Sequence, residues 1–228
     1  MISIDSLQKS FRRNSLLNGF SCEARSGEVT LLVGSNGAGK STALKIATGA
    51  LQADAGTVKI GGEDIRRDRA RALQLCSSLP QSVDFHPRLT AKQILRFYAD
   101  VRGAPRERIE QEIERWGLED HFKKRACELS GGLRQRLGLA VLFLADAPCM
   151  VLDEPGISLD PDWRETMQQT LIHQARQGKA ILVATHLLGE WQDRADRCLL
   201  CENGRVVREI DPQKLRPESP ATFKIAAV

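Results

Sequence analysis

The chain has 228 residues, with 33 Lys and Arg against 29 Asp and Glu, a formal net charge of +4. So slight a surplus gives no argument for nucleic acid as a partner, and 42% apolar with 27% charged residues is the balance of a chain that buries a core. The longest apolar run, Leu137 to Ala145, is closed by Arg136 and Asp146 and falls well short of the about 20 residues that a membrane-crossing helix needs.

The alternating start, Met1 to Phe11, has no apolar stretch of the kind a secretory signal carries, and the six cysteines are scattered, which fits reduced thiols in a cytosol. Alternating runs over residues 2–33 predict strands, the last being the buried run Val29-Thr30-Leu31-Leu32-Val33. A helix from about Lys40 to Thr48 follows and stops at Gly49. Val58-Lys59-Ile60 before Gly61-Gly62 predicts another strand and a turn.

Near residue 82 the texture becomes helical. Thr90 to Gln93 is a capping box, and Ala91, Ile94, Leu95, Tyr98 and Val101 mark one helical face. Ile109, Ile113 and Trp116 mark a second helix between Pro105 and Gly117. Strands return at Met150 to Leu152, Ala180 to Ala184 and Arg197 to Cys201. A helix from Asp162 to Gln177 lies between the first two, headed by Pro161 and followed by Gly178. Arg197 to Val207 reads as two strands joined by an Asn203-Gly204 hairpin turn. Cys198 and Cys201, three apart on the first of these, point to opposite faces and cannot share a ligand. The sum is an α/β core on a largely parallel sheet with a helical insertion at about 82–145.

Chemistry concentrates first in Gly34-Ser35-Asn36-Gly37-Ala38-Gly39-Lys40-Ser41-Thr42, which satisfies G-x-x-x-x-G-K-[ST] between a buried strand and a helix. Small residues let the backbone curl so that successive N–H groups face one point, where the helix N-terminus adds about half a positive charge. Lys40 then reaches the outer phosphates of a nucleotide, and the Ser41 hydroxyl is placed to hold Mg²⁺. Met150-Val151-Leu152-Asp153-Glu154 supplies the acidic partner. Strand neighbours face opposite ways, so Asp153 is assigned to the metal and Glu154 to the attacking water as general base. Standing alone, the pair would read as a solvated acidic strand end.

Leu129-Ser130-Gly131-Gly132 heads a helix 90 residues after Lys40 and about 20 before Asp153. In that order, with Asp153-Glu154-Pro155 ahead, the chain resembles the nucleotide-binding domain of ABC transporters over about residues 1–210. The resemblance implies a P-loop ABC ATPase fold of α/β class: a mostly parallel sheet core, an N-terminal antiparallel β subdomain and an inserted α-helical subdomain. It implies one domain over 1–228, with the core at about 1–81 and 146–215, the helical subdomain at about 82–145 and a short tail at 216–228. The cofactors implied are ATP and Mg²⁺.

By the same resemblance Phe11 stacks on adenine, the alternative being a core or staple aromatic. Gln81 contacts Mg²⁺ or the attacking water, the alternative being a plain turn residue after Pro80. Ser158-Leu159-Asp160 crosses to a partner domain, so Asp160 joins the nucleotide-binding set, and His186 senses the γ-phosphate. Ser130, Gly131 and Gly132 form a second anion site, which closes over the nucleotide of another copy. Two departures stand out: Leu133 where Gln is usual, which removes a hydrogen bond near the ribose, and Gly156 where Thr often follows Glu154-Pro155.

The partners implied are a second nucleotide-binding domain, identical or a paralogue, and an integral membrane permease subunit, with no nucleic acid. The chain would then lie at the cytoplasmic face of the inner membrane, held through that subunit. The permease would insert a short helix near Gln81 and residues 82–128, where the basic stretch Arg102 to Arg108 meets it unless that stretch is a solvated face. The short single cassette resembles the ATPase subunits of ABC-2-type exporters. The alternative function is a soluble ABC ATPase acting with a cytosolic partner in cofactor or complex assembly.

Overall fold

Period-two burial builds the first sheet. In β1 (Ile2–Phe11) the buried residues are Ile2, Ile4 and Leu7, a spacing that breaks alternation between 4 and 7. The computed structural model, which describes residues 1–11, 14–186 and 188–214 apart from the side chains of Leu188 and Lys214, resolves the conflict with a register shift between Ile4 and Leu7. Ser6 there takes φ 51°, and the extra residue returns Leu7 to the inner face. β2 (Asn14–Ala24), β4 (Ala55–Ile60) and β5 (Glu63–Asp64) complete an antiparallel sheet of order β2-β1-β4-β5.

The second sheet joins β3 (Val29–Val33), β6 (Cys76–Leu79), β7 (Cys149–Asp153), β8 (Ala180–Ala184), β9 (Arg197–Glu202) and β10 (Arg205–Ile210) in the order β10-β9-β3-β8-β7-β6. Every pair is parallel except β10 with β9. Strands β3, β7 and β8 are buried at every residue, so they read as unbroken apolar runs rather than alternating ones. One face packs with α1 (Lys40–Ala47) against the antiparallel sheet. The other packs against α3 (Ala91–Arg102), α4 (Arg106–Arg115), α5 (Gly131–Leu144) and α6 (Pro161–Arg176). Cys198 belongs to this second core and Cys201 to the first, on opposite sides of β9 as their spacing requires. No helix among the described residues is long and apolar enough to cross a membrane.

Several expectations need correction. Val101 is 63% exposed, and Ala99 is buried in its place. Both stand about 80° from Ala91 around the helix, on opposite sides, and the core lies on the Ala99 side. In α4 the fully buried polar residue is Glu112, which burial pushes above the usual carboxylate range against the pull of Arg115 and Arg108. Its oxygens accept from Arg115 at 2.5 Å and from Trp116 Nε1 at 3.1 Å. The stretch Arg102 to Arg108 is partly consumed inside the fold. Arg102 donates to the carbonyls of Leu73 and Cys76, and Arg108 to that of Phe143. The short α2 (Arg69–Gln74) and edge strand β6 had no periodicity to announce them. The tail at 216–228 lies outside the described residues.

Candidate functional site

Parallel register carries the ends of several strands to one edge. Leu32 of β3 lies opposite Ala184 of β8, Asp153 of β7 also opposite Ala184, and Leu79 of β6 opposite Leu152. The loops that follow these strands therefore gather at the carboxyl edge of the sheet, where open α/β sheets bind ligands.

After β3 the chain curls through Gly34 to Gly39 into α1. Gly34 sits at φ 151°, and a Cβ on it would lie 2.2 Å from the carbonyl oxygen of Cys201. Gly39, the N-cap of α1, sits at φ 98° with Leu17 2.7 Å from where its Cβ would be. No side chain caps α1. Its first N–H groups are thus left for a ligand, and the loop has no side chain in the way at either end. Lys40 is only 7% exposed, and its Nζ donates to the carbonyls of Gly34 at 2.8 Å and Ser35 at 3.1 Å. An ammonium has three N–H donors, so one remains to meet an anion held in the loop. Thr42 follows on the first turn of the helix and is half-buried.

Ser41 Oγ donates to Asp153 Oδ1 at 3.0 Å. Two adjacent oxygens around an octahedral Mg²⁺ with bonds of about 2.0–2.1 Å stand about 2.9 Å apart, so this pair fits two neighbouring positions of that ion. Burial pushes the Asp153 carboxyl above its ordinary range, helped by Glu154, while the Ser41 hydrogen bond and the more distant Lys45 and Lys40 pull it down. A buried carboxylate short of positive charge beside a hydroxyl is the donor set a hard divalent cation takes.

Glu154 does not diverge from Asp153 by strand alternation. The chain leaves the strand there, and Glu154 holds φ 49°, a left-handed conformation that a non-glycine residue rarely adopts. Four contacts fix Glu154, one of them its carbonyl accepting from Ile157 N at 3.3 Å. Its N–H donates to the Ala184 carbonyl at 2.8 Å, and its Oε2 lies 2.7 Å from His186 Nδ1 and 3.3 Å from the His186 backbone nitrogen. Glu154 is buried while the His186 side chain is 46% exposed, so the pair joins the interior to the rim of the site.

The other expected residues lie farther out. Gln81 follows the end of β6 at the same sheet edge but is exposed, and among the described residues it makes no hydrogen bond to Ser41, Asp153 or Glu154. Phe11 ends β1 with its ring 48% exposed and the Lys9 ammonium 5.2 Å from its centroid, which is the open aromatic rather than the buried one. Ser130 caps α5, its Oγ accepting from Leu133 N at 3.3 Å. Ser130, Gly131 and Gly132 make no hydrogen bond to the phosphate loop among the described residues, and a Cβ on Gly132 would lie 3.0 Å from the carbonyl oxygen of Ser158. Asp160 spends one carboxylate oxygen capping α6 through Trp163 N at 3.0 Å. Leu133, where the resembled family usually has Gln, is partly buried against the core.

Two contributors went unread in the sequence. The turn residue Gly204 donates its N–H to the carbonyl of Ala38, bracing the phosphate loop from behind. Gln135, 3% exposed, donates from Nε2 to the carbonyl of Pro155 at 2.8 Å. A polar residue on the inward face of an apolar helix was the signal, since a buried amide must find a partner.

Comparison with known proteins agrees with this geometry. A family model described as ABC transporter matches residues 17–156. The Nod factor export ATP-binding protein I of Burkholderia lata is 34% identical over 218 residues, covering 94% of this chain and 72% of that protein. The linearmycin resistance ATP-binding protein LnrL of Bacillus subtilis is 26% identical over 91% of this chain and 68% of its own length. Among solved structures, the dimeric structure of a bacterial ABC transporter cassette superposes with a TM-score of 0.85 at 23% identity, covering 93% of this chain and 99% of that one. The antiparallel sheet, the mostly parallel core and the helices between β6 and β7 are therefore those of the ABC ATPase fold, and the chain belongs to the ABC transporter family as an ATP-binding subunit.

Proposed function

We propose that this subunit hydrolyses ATP with Mg²⁺ to drive an exporter, in a pair of cassettes that a membrane permease holds together. One observation carries the reading. A hydroxyl and carboxylate suited to a divalent cation stand beside a second, buried carboxylate paired with a histidine, all at the edge where the phosphate loop opens.

The roles follow from the atoms. The loop from Gly34 to Gly39 and the first turn of α1 bind the phosphates, and Lys40 neutralises them. Ser41 and Asp153 would hold Mg²⁺, with Gln81 at the same sheet edge as a further oxygen donor, and a bound ion would neutralise phosphate charge. The Glu154 carboxylate accepts a proton from water, whose oxygen attacks the terminal phosphorus as the bond to ADP breaks, giving ADP and phosphate. His186, with its proton on Nδ1, would donate to Glu154 and so fix the direction of the base, leaving its exposed edge to meet the γ-phosphate. Phe11 offers its ring to the adenine, a contact worth about 1–3 kcal/mol. Ser130, Gly131, Gly132 and Asp160 would face a second cassette, a reading supported by the lack of any hydrogen bond from Ser130, Gly131 or Gly132 to this chain's own loop among the described residues.

For the permease, a cavity of about 260 Å³ beside the Gln81 loop is lined by Leu79, Phe85, Tyr98, Arg102 and Val141, with Phe97 and Val101 exposed on α3. A cleft of that size and mixed lining would admit one or two side chains of a short helix laid across Phe97 and Val101. The names of the relatives above, in Nod factor export and linearmycin resistance, support export as the direction.

Glu154→Gln tests the chemistry. ATP should still bind, turnover should fall by about a hundredfold or more, and a dimer stable on gel filtration should accumulate with ATP. Full turnover would move the base elsewhere. Recovery of the chain with a cytosolic protein and no membrane subunit would favour the assembly-ATPase alternative.

A further inference from the structure

Hydrolysis as read above asks Glu154 to keep a backbone conformation that costs energy, and part of what holds it comes from a distance. The left-handed φ of a non-glycine residue persists only where its surroundings over-determine it. On one side the restraints are local: Glu154 N to Ala184 and Glu154 Oε2 to His186. On the other side the Glu154 carbonyl accepts from Ile157 N at 3.3 Å within the turn, and Pro155 follows. Proline has no N–H, so the carbonyl of Pro155 is its one backbone handle, and that handle is taken by Gln135 Nε2 in the buried interior.

Gln135 sits on α5, the helix whose first residues are Gly131 and Gly132, and that helix is itself pinned. The next residue, Arg136, lies with its guanidinium carbon 4.3 Å from the ring centroid of Trp163 and donates to the carbonyl of Trp116 at 3.0 Å. Trp163 in turn gives its N–H to Asp160. A second close approach joins Gly132 to the Ser158 carbonyl. So the 154–163 segment is fastened to α5 near both ends, and the fastening nearest the reaction is the single amide of Gln135.

We propose that Gln135 is a positioning residue for Glu154: by holding the Pro155 carbonyl it sets the direction of the base from the helix that carries Ser130. This rests on the reading of Glu154 as general base. Contact of a second cassette with the Ser130 end of α5 then bears on the base through one buried hydrogen bond.

The test is Gln135→Met, which keeps the length and volume and removes the donor, with Gln135→Glu as a near-isosteric second variant that presents an acceptor to the carbonyl when ionised. Full-length variants are assayed for ATP turnover and, separately, for ATP affinity and melting temperature. Both should lose about tenfold to a hundredfold in kcat, the effect of a misdirected catalytic group, while ATP affinity stays within about threefold of the parent. In a Glu154→Gln background Gln135→Met should cost nothing further, because a residue acting through Glu154 has nothing left to position. Parental kcat in both variants, a fall in affinity as large as the fall in kcat, or a full additional loss in the double variant would each overturn the proposal. Full turnover by Glu154→Gln alone would overturn the base assignment and this inference with it. A slow Glu154→Gln beside a fast Gln135→Met would overturn this inference only.

Discussion

Lys40→Met is the perturbation that separates binding from folding most cleanly. Methionine matches the length and much of the volume of lysine, which is buried here, and removes the ammonium bonded to the carbonyls of Gly34 and Ser35. For the fold, two opposing terms result. The carbonyls lose a donor, at about 1–3 kcal/mol for a buried acceptor, while the desolvation of a buried cation, several kcal/mol, is relieved. Without nucleotide the variant should therefore lose no more than about 2 kcal/mol. For binding there is no such offset. One charged hydrogen bond to phosphate, about 3 kcal/mol, disappears, which weakens ATP about a hundredfold. A thermal melt reads both. At ATP a hundred times the parental Kd, ligand stabilisation is about 2.7 kcal/mol, or about 5–10 °C for a chain of this size. After a hundredfold weakening the same ATP gives about 0.4 kcal/mol, a shift of about 1–2 °C. A Lys40→Met protein whose melt still rises by 5 °C or more under those conditions would refute the assignment of Lys40 to the phosphates.

Two further outcomes are expected. The Asp153 carboxyl is raised chiefly by burial, so its folded pKa lies above the unfolded one. The stability linked to it is complete below the unfolded value, near 3.8, and is lost as pH rises through the folded value. Asp153→Asn, neutral and still able to accept from Ser41, should melt higher than the parent at pH 7 without nucleotide, lose that advantage in acid, and hydrolyse Mg-ATP about a hundredfold more slowly or worse; an unchanged rate would remove Asp153 from the metal. Gly34→Ala places a methyl 2.2 Å from the Cys201 carbonyl at a left-handed φ. Denaturant melts should show a loss of about 2 kcal/mol, with ATP affinity falling alongside as the loop shifts, and a parental profile would show that the loop tolerates displacement.

The fold was legible wherever one period governed a segment. The unbroken runs of β3, β7 and β8 announced buried parallel strands, and the Thr90 capping box and the Pro161 start of α6 fell where the sequence placed them, within a residue. β6 was not legible, because Cys76-Ser77-Ser78-Leu79 is strand only through its partner β7. The phosphate loop was readable because its chemistry is local in sequence. Gln135 was not, because its role depends on a carbonyl twenty residues away that only the folded chain brings near. Strand alternation predicts opposite faces for Asp153 and Glu154, but what parts them is the left-handed turn at Glu154, which no local period announces.

These failures of local reasoning are not scattered. Both faces of the parallel sheet are covered, one by helices and one by the antiparallel sheet, so a ligand has access only at the strand ends. At that edge a lysine and two carboxylates are buried and a glutamate takes a glycine-like backbone, each against the preference of its own residue type. Away from that edge such costs are few and met locally, Glu112 by Arg115 and Trp116 and Ser6 by the register shift in β1, so the described chain tolerates this concentration. The direction of causation follows: the core does not need Lys40, Asp153 or Glu154 in these states, and the phosphate chemistry does. Substitutions that relax them should therefore raise or spare stability while removing activity, the opposite of what core substitutions at Leu31 or Val183 should do.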